Sequence, residues 1–532
     1  MNQEISKNFP KYNTDVLIVG GSIVGLSAAL FLAWRNVNVI VVEKHESSSK
    51  HPRAIGFTEL SLEHYRAAGI IDKIPQVNSN SRLRRAKVES LTGNWHAEIP
   101  WTPHEQENDK GILSPVTGAA IAQDLLEPII RQSAKDFGAN LHLGTELIEL
   151  IENGEGILAR VKNRKKNEIY EISAKYVIAA DGANSSIREQ LGIKIKGVGH
   201  LRFIRSVLFY CTEAEFYLEE GIQQFEIDQT EFKAFLTHYP DGRWVLMFNA
   251  DHEYSESDLK SYILQALGRK MNIDIITTGT WEMAGQIAEE YQKGHIFLVG
   301  DAAHQLPPTR GGFGANTGID DVYNLAWKLQ MVLQNKNVGK ELLETYHLER
   351  YPIGWLRHQQ TFSRPDYLQW VDTSFKAETL LSSEAMEFGQ RVNSTAVLNN
   401  DTCANLPLAA HPNIWLGHTG TRVPHAWVSR YEERISTIDL FTKSFVAISK
   451  DISWLDIAKR ISKELGIDIE VLHVGIDIHF LDDKIFEELF DISKDDCILV
   501  RPDAIVAWRS TKQCGNKYNC FKEAFKKVTS YK

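Results

Sequence analysis

The chain has 532 residues, too many for one hydrophobic core, so two or three domains are expected. Its 43% apolar and 24% charged residues are ordinary for a folded protein and, with no low-complexity tract or fixed-period repeat, exclude fibrous, disordered and solenoid readings. A formal charge of -10 argues against a general nucleic-acid binder, whose affinity rests on clustered Lys and Arg.

The opening residues, MNQEISKNFPKYNTD, lack the charged-then-apolar pattern of a signal peptide. No apolar stretch approaches the ~18 residues that span a bilayer. A cytoplasmic protein without a membrane partner is therefore expected. Asp15 to Gly20 reads as a buried strand closing on glycine, and Ile23 to Trp34 continues as a helix. The turn between them, Gly20-Gly21-Ser22-Ile23-Val24-Gly25, meets the G-x-G-x-x-G pattern at its first and third glycines, with Ser22 replacing the second. Serine is small enough to let a pyrophosphate reach the N–H groups of Ser22, Ile23 and Val24 at the positive end of the helix. A second strand, Val37 to Val42, ends at Glu43, spaced to accept hydrogen bonds from an adenosine ribose, with Lys44 beside it.

Two basic runs, Arg82-Leu83-Arg84-Arg85 and Arg164-Lys165-Lys166, read as solvated faces or turns. Lys175 to Ala180 forms another apolar strand, stopped by Asp181-Gly182 and followed by a polar turn, Ala183 to Arg188, that feeds a helix. A later strand, Ile296 to Val299, ends at Gly300-Asp301, which sets the Asp301 carboxylate at a strand's C-terminal end, where open α/β sheets bind ligands. After it, Pro307 and Pro308 stiffen a loop in which Gly311, Gly312 and Gly314 allow close backbone approach to a flat ligand. Ala315 and Asn316 lead into a helix whose apolar residues recur from Ile319 to Leu333.

These three segments resemble the GxGxxG, DG and GD fingerprints of single-component FAD-dependent aromatic monooxygenases of the para-hydroxybenzoate hydroxylase type. The resemblance implies FAD and NADPH or NADH as cofactors, with Asp181 and Gly182 serving both nucleotides. It also implies that Gln123, in Gln123-Asp124-Leu125-Leu126-Glu127-Pro128, and Arg53, in His51-Pro52-Arg53-Ala54, lie against the FAD. The implied cycle reduces FAD with NAD(P)H, adds dioxygen at flavin C4a as a hydroperoxide, and transfers the distal oxygen to an electron-rich ring. Pro307 and Pro308 would form the wall near the reactive edge. No general base is singled out.

Gly417, Thr421-Arg422, Pro424-His425, Ser436 to Phe441 and Leu499 to Asp503 resemble the extra domain of polyketide and phenolic hydroxylases of the aklavinone hydroxylase kind, which implies a thioredoxin-like fold. No Cys-x-x-Cys occurs there, so dithiol chemistry is not expected. The five cysteines are scattered and odd in number; Cys514 and Cys520 could pair, but reduced thiols are the expectation. No histidine or cysteine spacing points to a metal.

The expected fold class is α/β: a Rossmann-like FAD-binding domain from residues 1–80, 114–190 and 285–396, a β-sheet substrate domain from 81–113 and 191–284, and a thioredoxin-like domain from 397–532. Leu201 to Tyr210, Ile222 to His238 and Arg243 to Ala250 carry the strand-forming residues of the substrate sheet. About half or more of its aromatics (Phe203, Phe209, Phe225, Phe235, Trp244, Phe248) are expected to be core rather than cavity wall. Partners are a small aromatic substrate and dioxygen, in a monomer or homodimer. A flavin oxidase or reductase without oxygen insertion, an antibiotic-inactivating hydroxylase and a non-catalytic nucleotide binder stay open. A flavin halogenase lacks support, because W-x-W-x-I-P is absent.

Overall fold

The computed structural model describes residues 10–49, 51, 54–77, 84–99, 112–152, 154, 156–218, 222–250, 252–308, 313–398, 406–481, 486–510 and 514–532. Its first sheet has eight strands. Lys11–Val19 is the centre, parallel to Val39–Glu43 on one side and Glu168–Ala179 on the other, and Ile296–Leu298 runs parallel to Glu168–Ala179. Val16 to Val19 and Val39 to Val42 are buried on both faces, as apolar β-branched runs in a parallel sheet must be. The register pairs Val19 with Val42 and Ala179, and Ala179 with Leu298. Four strands therefore end level, and the turns that follow them emerge side by side.

The second sheet also has eight strands, in the order His304–Gln305, Asp274–Ala288, Ile195–Tyr210, Arg243–Asn249, Lys233–His238, Ile222–Asp228, Arg84–Val88, Trp95–Ile99. The stretch from Ile222 to His238 is two strands, because Gln229 N–H turns back onto the Phe232 carbonyl. Phe209, Phe225, Trp244 and Phe248 pack behind this sheet with the helix Glu256–Leu267, Phe248 stacking on Tyr262, whereas Phe203 and Phe235 line the cavity in front of it. Arg85 departs from its expected place on a solvated face: it is drawn into the sheet by an ion pair with Glu226 and lines the same cavity.

A four-stranded sheet, Ile469–His473, Phe445–Ser449, Cys497–Val500, Val506–Arg509, forms the carboxy-terminal thioredoxin-like unit with the helices Ile452–Leu465 and Lys517–Val528. Cys514 and Cys520 are disulfide-bonded, contrary to the expectation of thiols. Asn516 caps the helix Lys517–Val528, and the turn before it brings the two Cα atoms to 5.9 Å.

This unit is fixed to the first by buried charge. Glu349 on the long helix Glu341–Phe362 accepts hydrogen bonds from Arg501 at 2.7 and 2.9 Å, Lys328 at 2.9 Å, Asn324 at 2.7 Å and Ser394 at 2.6 Å. Asp503 completes the set on Arg501 and on the Trp327 indole. Burial alone would raise the Glu349 carboxyl, but Arg501 and Lys328 hold it well below the carboxylate range. Burial pulls Lys328 down to about 8. Removing one member leaves its partners charged and dry, so Arg501→Met is expected to cost about 3–5 kcal/mol in urea unfolding. A loss below about 1 kcal/mol would show that the cluster does not hold the units together.

Candidate functional site

The level strand ends make the site. Gly20 has φ +105°, and a Cβ there would stand 2.2 Å from the Ala180 carbonyl oxygen. A Cβ on Gly25 would stand 1.9 Å from the Gly20 oxygen, and one on Gly318 2.5 Å from Val24 Cγ2. The turns after three strands and the first turns of the helices Ile23–Trp34 and Phe313–Gln334 thus meet at distances only glycine permits. Both helices begin with N–H groups that lack intrahelical acceptors. Among the described residues the second already runs at Phe313, earlier than the apolar repeat from Ile319 suggested.

Side chains brace this cradle. Glu43 accepts the Gly21 N–H at 2.6 Å and the His45 N–H at 2.8 Å. Ser22 caps the first helix in backbone conformation only; its hydroxyl donates to Glu127 at 2.7 Å, and Gln123 donates to both at 2.8 Å. Glu127 is buried and sits one turn along from Gln123 on the helix Gln123–Asp136, the only hint the sequence held of its part. Asp181 takes the Ile187 N–H on one oxygen, while its other oxygen is buried with no hydrogen-bond partner. Arg188 ties the Asp181 and Asp301 loops together, donating to the Ala302 and Ala183 carbonyls at 2.9 and 2.8 Å. Asp321 joins His304 at 2.6 Å and Arg350 at 2.8 Å, and accepts the Gly300 N–H at 3.3 Å. Burial would raise this carboxyl, but His304 and Arg350 bring it below its ordinary value.

The cradle opens into a cavity of about 2110 Å³. Single-ligand pockets run to roughly 1,000 Å³, so this one has room for a dinucleotide and a second flat molecule. Ser22, Ile23, Val24, Lys44, Gln123, Asp181, Gly182, Asp301, Gly314 and Ala315 line one part. Phe203, Phe235 and Met247 line the part before the second sheet, and Pro307, Pro308 and Phe313 line the cavity as well. Tyr367 donates to the Pro308 carbonyl at 2.8 Å and fixes that wall. The glycine cradle, the two open helix ends and the orphaned Asp181 oxygen fit an extended flavin dinucleotide.

Not every expected residue faces the cavity with its side chain. Asn316 is buried, its amide oxygen accepting from Thr58 N–H and Ser61 Oγ and its nitrogen donating to the Gly56 carbonyl. It pins the helix start to that segment and leaves only its backbone for a ligand. Arg53, Gly311 and Gly312 lie outside the described residues. Glu387, unforeseen, is largely enclosed at the cavity wall, where it accepts the Leu60 N–H at 3.0 Å. Burial, only partly offset by hydrogen bonds from Thr58 and Leu60, pushes its carboxyl up to about 7. Among the described residues no group of His, Cys, Asp and Glu could hold a metal ion, and no helix is long and apolar enough to cross a membrane.

Residues 13–361 match the family described as FAD binding domain, and residues 417–528 match that described as aromatic-ring hydroxylase, C-terminal. The chain is 32% identical to a 4-methyl-5-nitrocatechol 5-monooxygenase of a Burkholderia species, over 94% of this chain and 95% of that one. It is 31% identical to an aklavinone 12-hydroxylase of Streptomyces purpurascens, over 97% and 99% respectively. A solved structure of aklavinone-11 hydroxylase with FAD and aklavinone superposes with a TM-score of 0.87 at 29% identity, covering 98% of this chain and 99% of the other.

Glu387 gives the site a pH signature. Its folded pKa lies above the ordinary 4.5, so its share of stability is full below that value and is lost as pH rises through about 7. Glu387→Gln should therefore be the more stable protein at about pH 8.5, by on the order of 2 kcal/mol in urea unfolding, since each unit is worth about 1.4 kcal/mol and cavity water screens part of it. Equal stability of the two proteins at both ends of that range would refute the shift.

Proposed function

The chain belongs to the FAD-dependent aromatic-ring hydroxylases, and from that premise we propose that it spends NAD(P)H and dioxygen to hydroxylate a flat phenol-like or polycyclic substrate. The bound flavin, once reduced, activates dioxygen and supplies one oxygen atom to an electron-rich ring while the other leaves as water. The observation that carries the reading is the single cavity of about 2110 Å³ joining the glycine cradle to the aromatic face of the second sheet.

In this reading the FAD-binding domain comprises residues 1–80, 114–190 and 285–396, the substrate domain 81–113 and 191–284, and the thioredoxin-like domain 397–532. The second sheet keeps the strand Asp274–Ala288 to its end, so the substrate side reaches four residues beyond 284. The N–H groups of Ser22, Ile23 and Val24 bind the pyrophosphate, with Gly20 giving it room. Glu43 accepts the adenosine ribose hydroxyls and Lys44 adds positive charge nearby. Gln123 reaches the dinucleotide from its helix, and Asp301 holds a ribityl hydroxyl. Gly314, Ala315 and the Asn316 backbone aim the positive end of their helix at the flavin edge where reduction places negative charge. Asp181 and Gly182 offer the orphaned oxygen and an open glycine, φ +85°, to the nucleotides. Arg53, Gly311 and Gly312 are assigned to the FAD by sequence alone.

Pro308, held by Tyr367, forms a wall that limits where a ring can lie and keeps water from the reacting atoms. The substrate class follows relatives whose names specify a nitrocatechol and aklavinone, and the cavity has the size for either.

Purified protein loaded with FAD, given NADPH or NADH and labelled dioxygen, should convert at least one member of a panel of catechols and polycyclic phenols to a product carrying one labelled oxygen, with little hydrogen peroxide. Complete conversion of NAD(P)H to peroxide, with no labelled product across such a panel, would favour an oxidase.

A further inference from the structure

Among the described residues that line the cavity before the second sheet, Arg202 is a cation without a counter-ion. Arg202 lies on the strand Ile195–Tyr210, opposite Met283, and lines the cavity. Its guanidinium carbon is 5.4 Å from the centroid of the Trp370 ring, on the turn that follows Tyr367. Its Nε is buried with no hydrogen-bond partner. Among the described residues no carboxylate lies within ion-pair distance of it. The other cations of this part of the cavity are matched: Arg85 by Glu226, Lys87 by Asp228 at 2.5 Å, Arg357 by Asp320 at 3.3 Å and Arg364 by Asp366 at 3.2 Å.

Arg202 is half-buried, and a partly desolvated charge without a counter-ion is costly; stacking on an indole recovers only part of that cost. Burial lowers the guanidinium's pKa, with Tyr367 the one group acting against it. What is missing is an anion. A planar guanidinium pinned by a ring on one face keeps its N–H edge free to grip two oxygens at once, a geometry an ammonium cannot copy.

We propose that Arg202, held against Trp370, is a positioning residue that binds an anionic oxygen group of the aromatic substrate, a carboxylate or an ionised acidic phenol. This rests on the hydroxylase reading and narrows its substrate to acidic aromatics. The anchor stands near Pro308, because Trp370 follows the Tyr367 that grips the Pro308 carbonyl. An acid seated there sets which ring carbon faces the reacting edge. The same edge could take a phosphate of the pyridine nucleotide, and the two sources separate by experiment.

The test titrates FAD-loaded wild type, Arg202→Gln and Arg202→Lys with a hydroxynaphthoate and with its methyl ester, following the flavin absorbance band. Steady-state KM values for NADPH are measured alongside, with FAD content and melting temperature as controls. The acid should bind Arg202→Gln about tenfold or more weaker, the ester should be little changed, and Arg202→Lys should recover part of the loss by keeping the charge. NADPH KM should stay put. Equal losses for acid and ester would mean a packing role, a loss confined to NADPH would place the nucleotide phosphate at Arg202, and no binding of the acid to wild type would remove the subsite; each overturns the proposal. Binding is read without turnover, so Arg202-dependent affinity in an enzyme that transfers no oxygen would contradict the hydroxylase reading and leave the anion subsite standing.

Discussion

Backbone contact between Gly20, Gly25, Ala180, Gly300 and Gly318 is the constraint from which the rest of the molecule takes its shape. Strands ending at Val19, Ala179 and Leu298 stop level, and the turns that follow can lie side by side only where side chains are absent. A Cβ at Gly20 or Gly25 would stand about 2 Å from a carbonyl oxygen, well inside contact distance. Because these turns touch, two helices start at one place and present their unbonded N–H groups to the same volume. The ligand site is thus largely a property of main chain, and side chains such as Glu43, Glu127 and Asp321 hold that main chain still.

Charge buried away from the cavity extends the same rigidity. Asp321 fixes the Gly300 turn to the helix Glu341–Phe362 through Arg350, and that helix carries Glu349, which grips Arg501 of the thioredoxin-like unit. Arg35, just past the first helix, donates to the Thr442 and Lys443 carbonyls of the same unit. The carboxy-terminal unit, which has no Cys-x-x-Cys, is thus joined to the helices that frame the site. Its buried ion clusters gain little over an apolar core of equal volume, but each is intolerant of losing one member.

Much of this was legible in the sequence, and the reason is locality. Strand, glycine turn, helix and acid follow one another within some thirty residues, so the places of Gly20, Ser22 and Glu43 in the fold could be read from spacing alone. The Asp181 and Asp301 segments each follow an apolar strand and carry the same kind of signal. What escaped depends on residues far apart in the chain. Ser22 meets Glu127 across 105 positions, and Leu60 meets Glu387 across 327. Arg85 reads as a surface charge until Glu226 stands beside it, and Arg202 is unremarkable until no carboxylate among the described residues proves to pair with it. Asn316 was read with the cofactor loop, but its side chain turns inward to Thr58 and Ser61, a choice made by packing that spacing cannot reveal. The Cys514–Cys520 pair likewise depends on a turn geometry that a count of cysteines does not contain.

The most direct measurement is the FAD dissociation constant of Gly318→Ala, by quenching of flavin fluorescence, beside wild type and the double variant with Val24→Ala. A Cβ at 318 meets Val24 Cγ2 at 2.5 Å and Gly300 Cα at 3.0 Å, so the helix must move away from the other two turns. The account predicts FAD affinity weaker by about tenfold or more with the circular dichroism spectrum of the apoprotein unchanged, and partial recovery when Val24 is trimmed. Unaltered affinity in a folded Gly318→Ala protein would mean that the close meeting of the three turns is not what builds the flavin site.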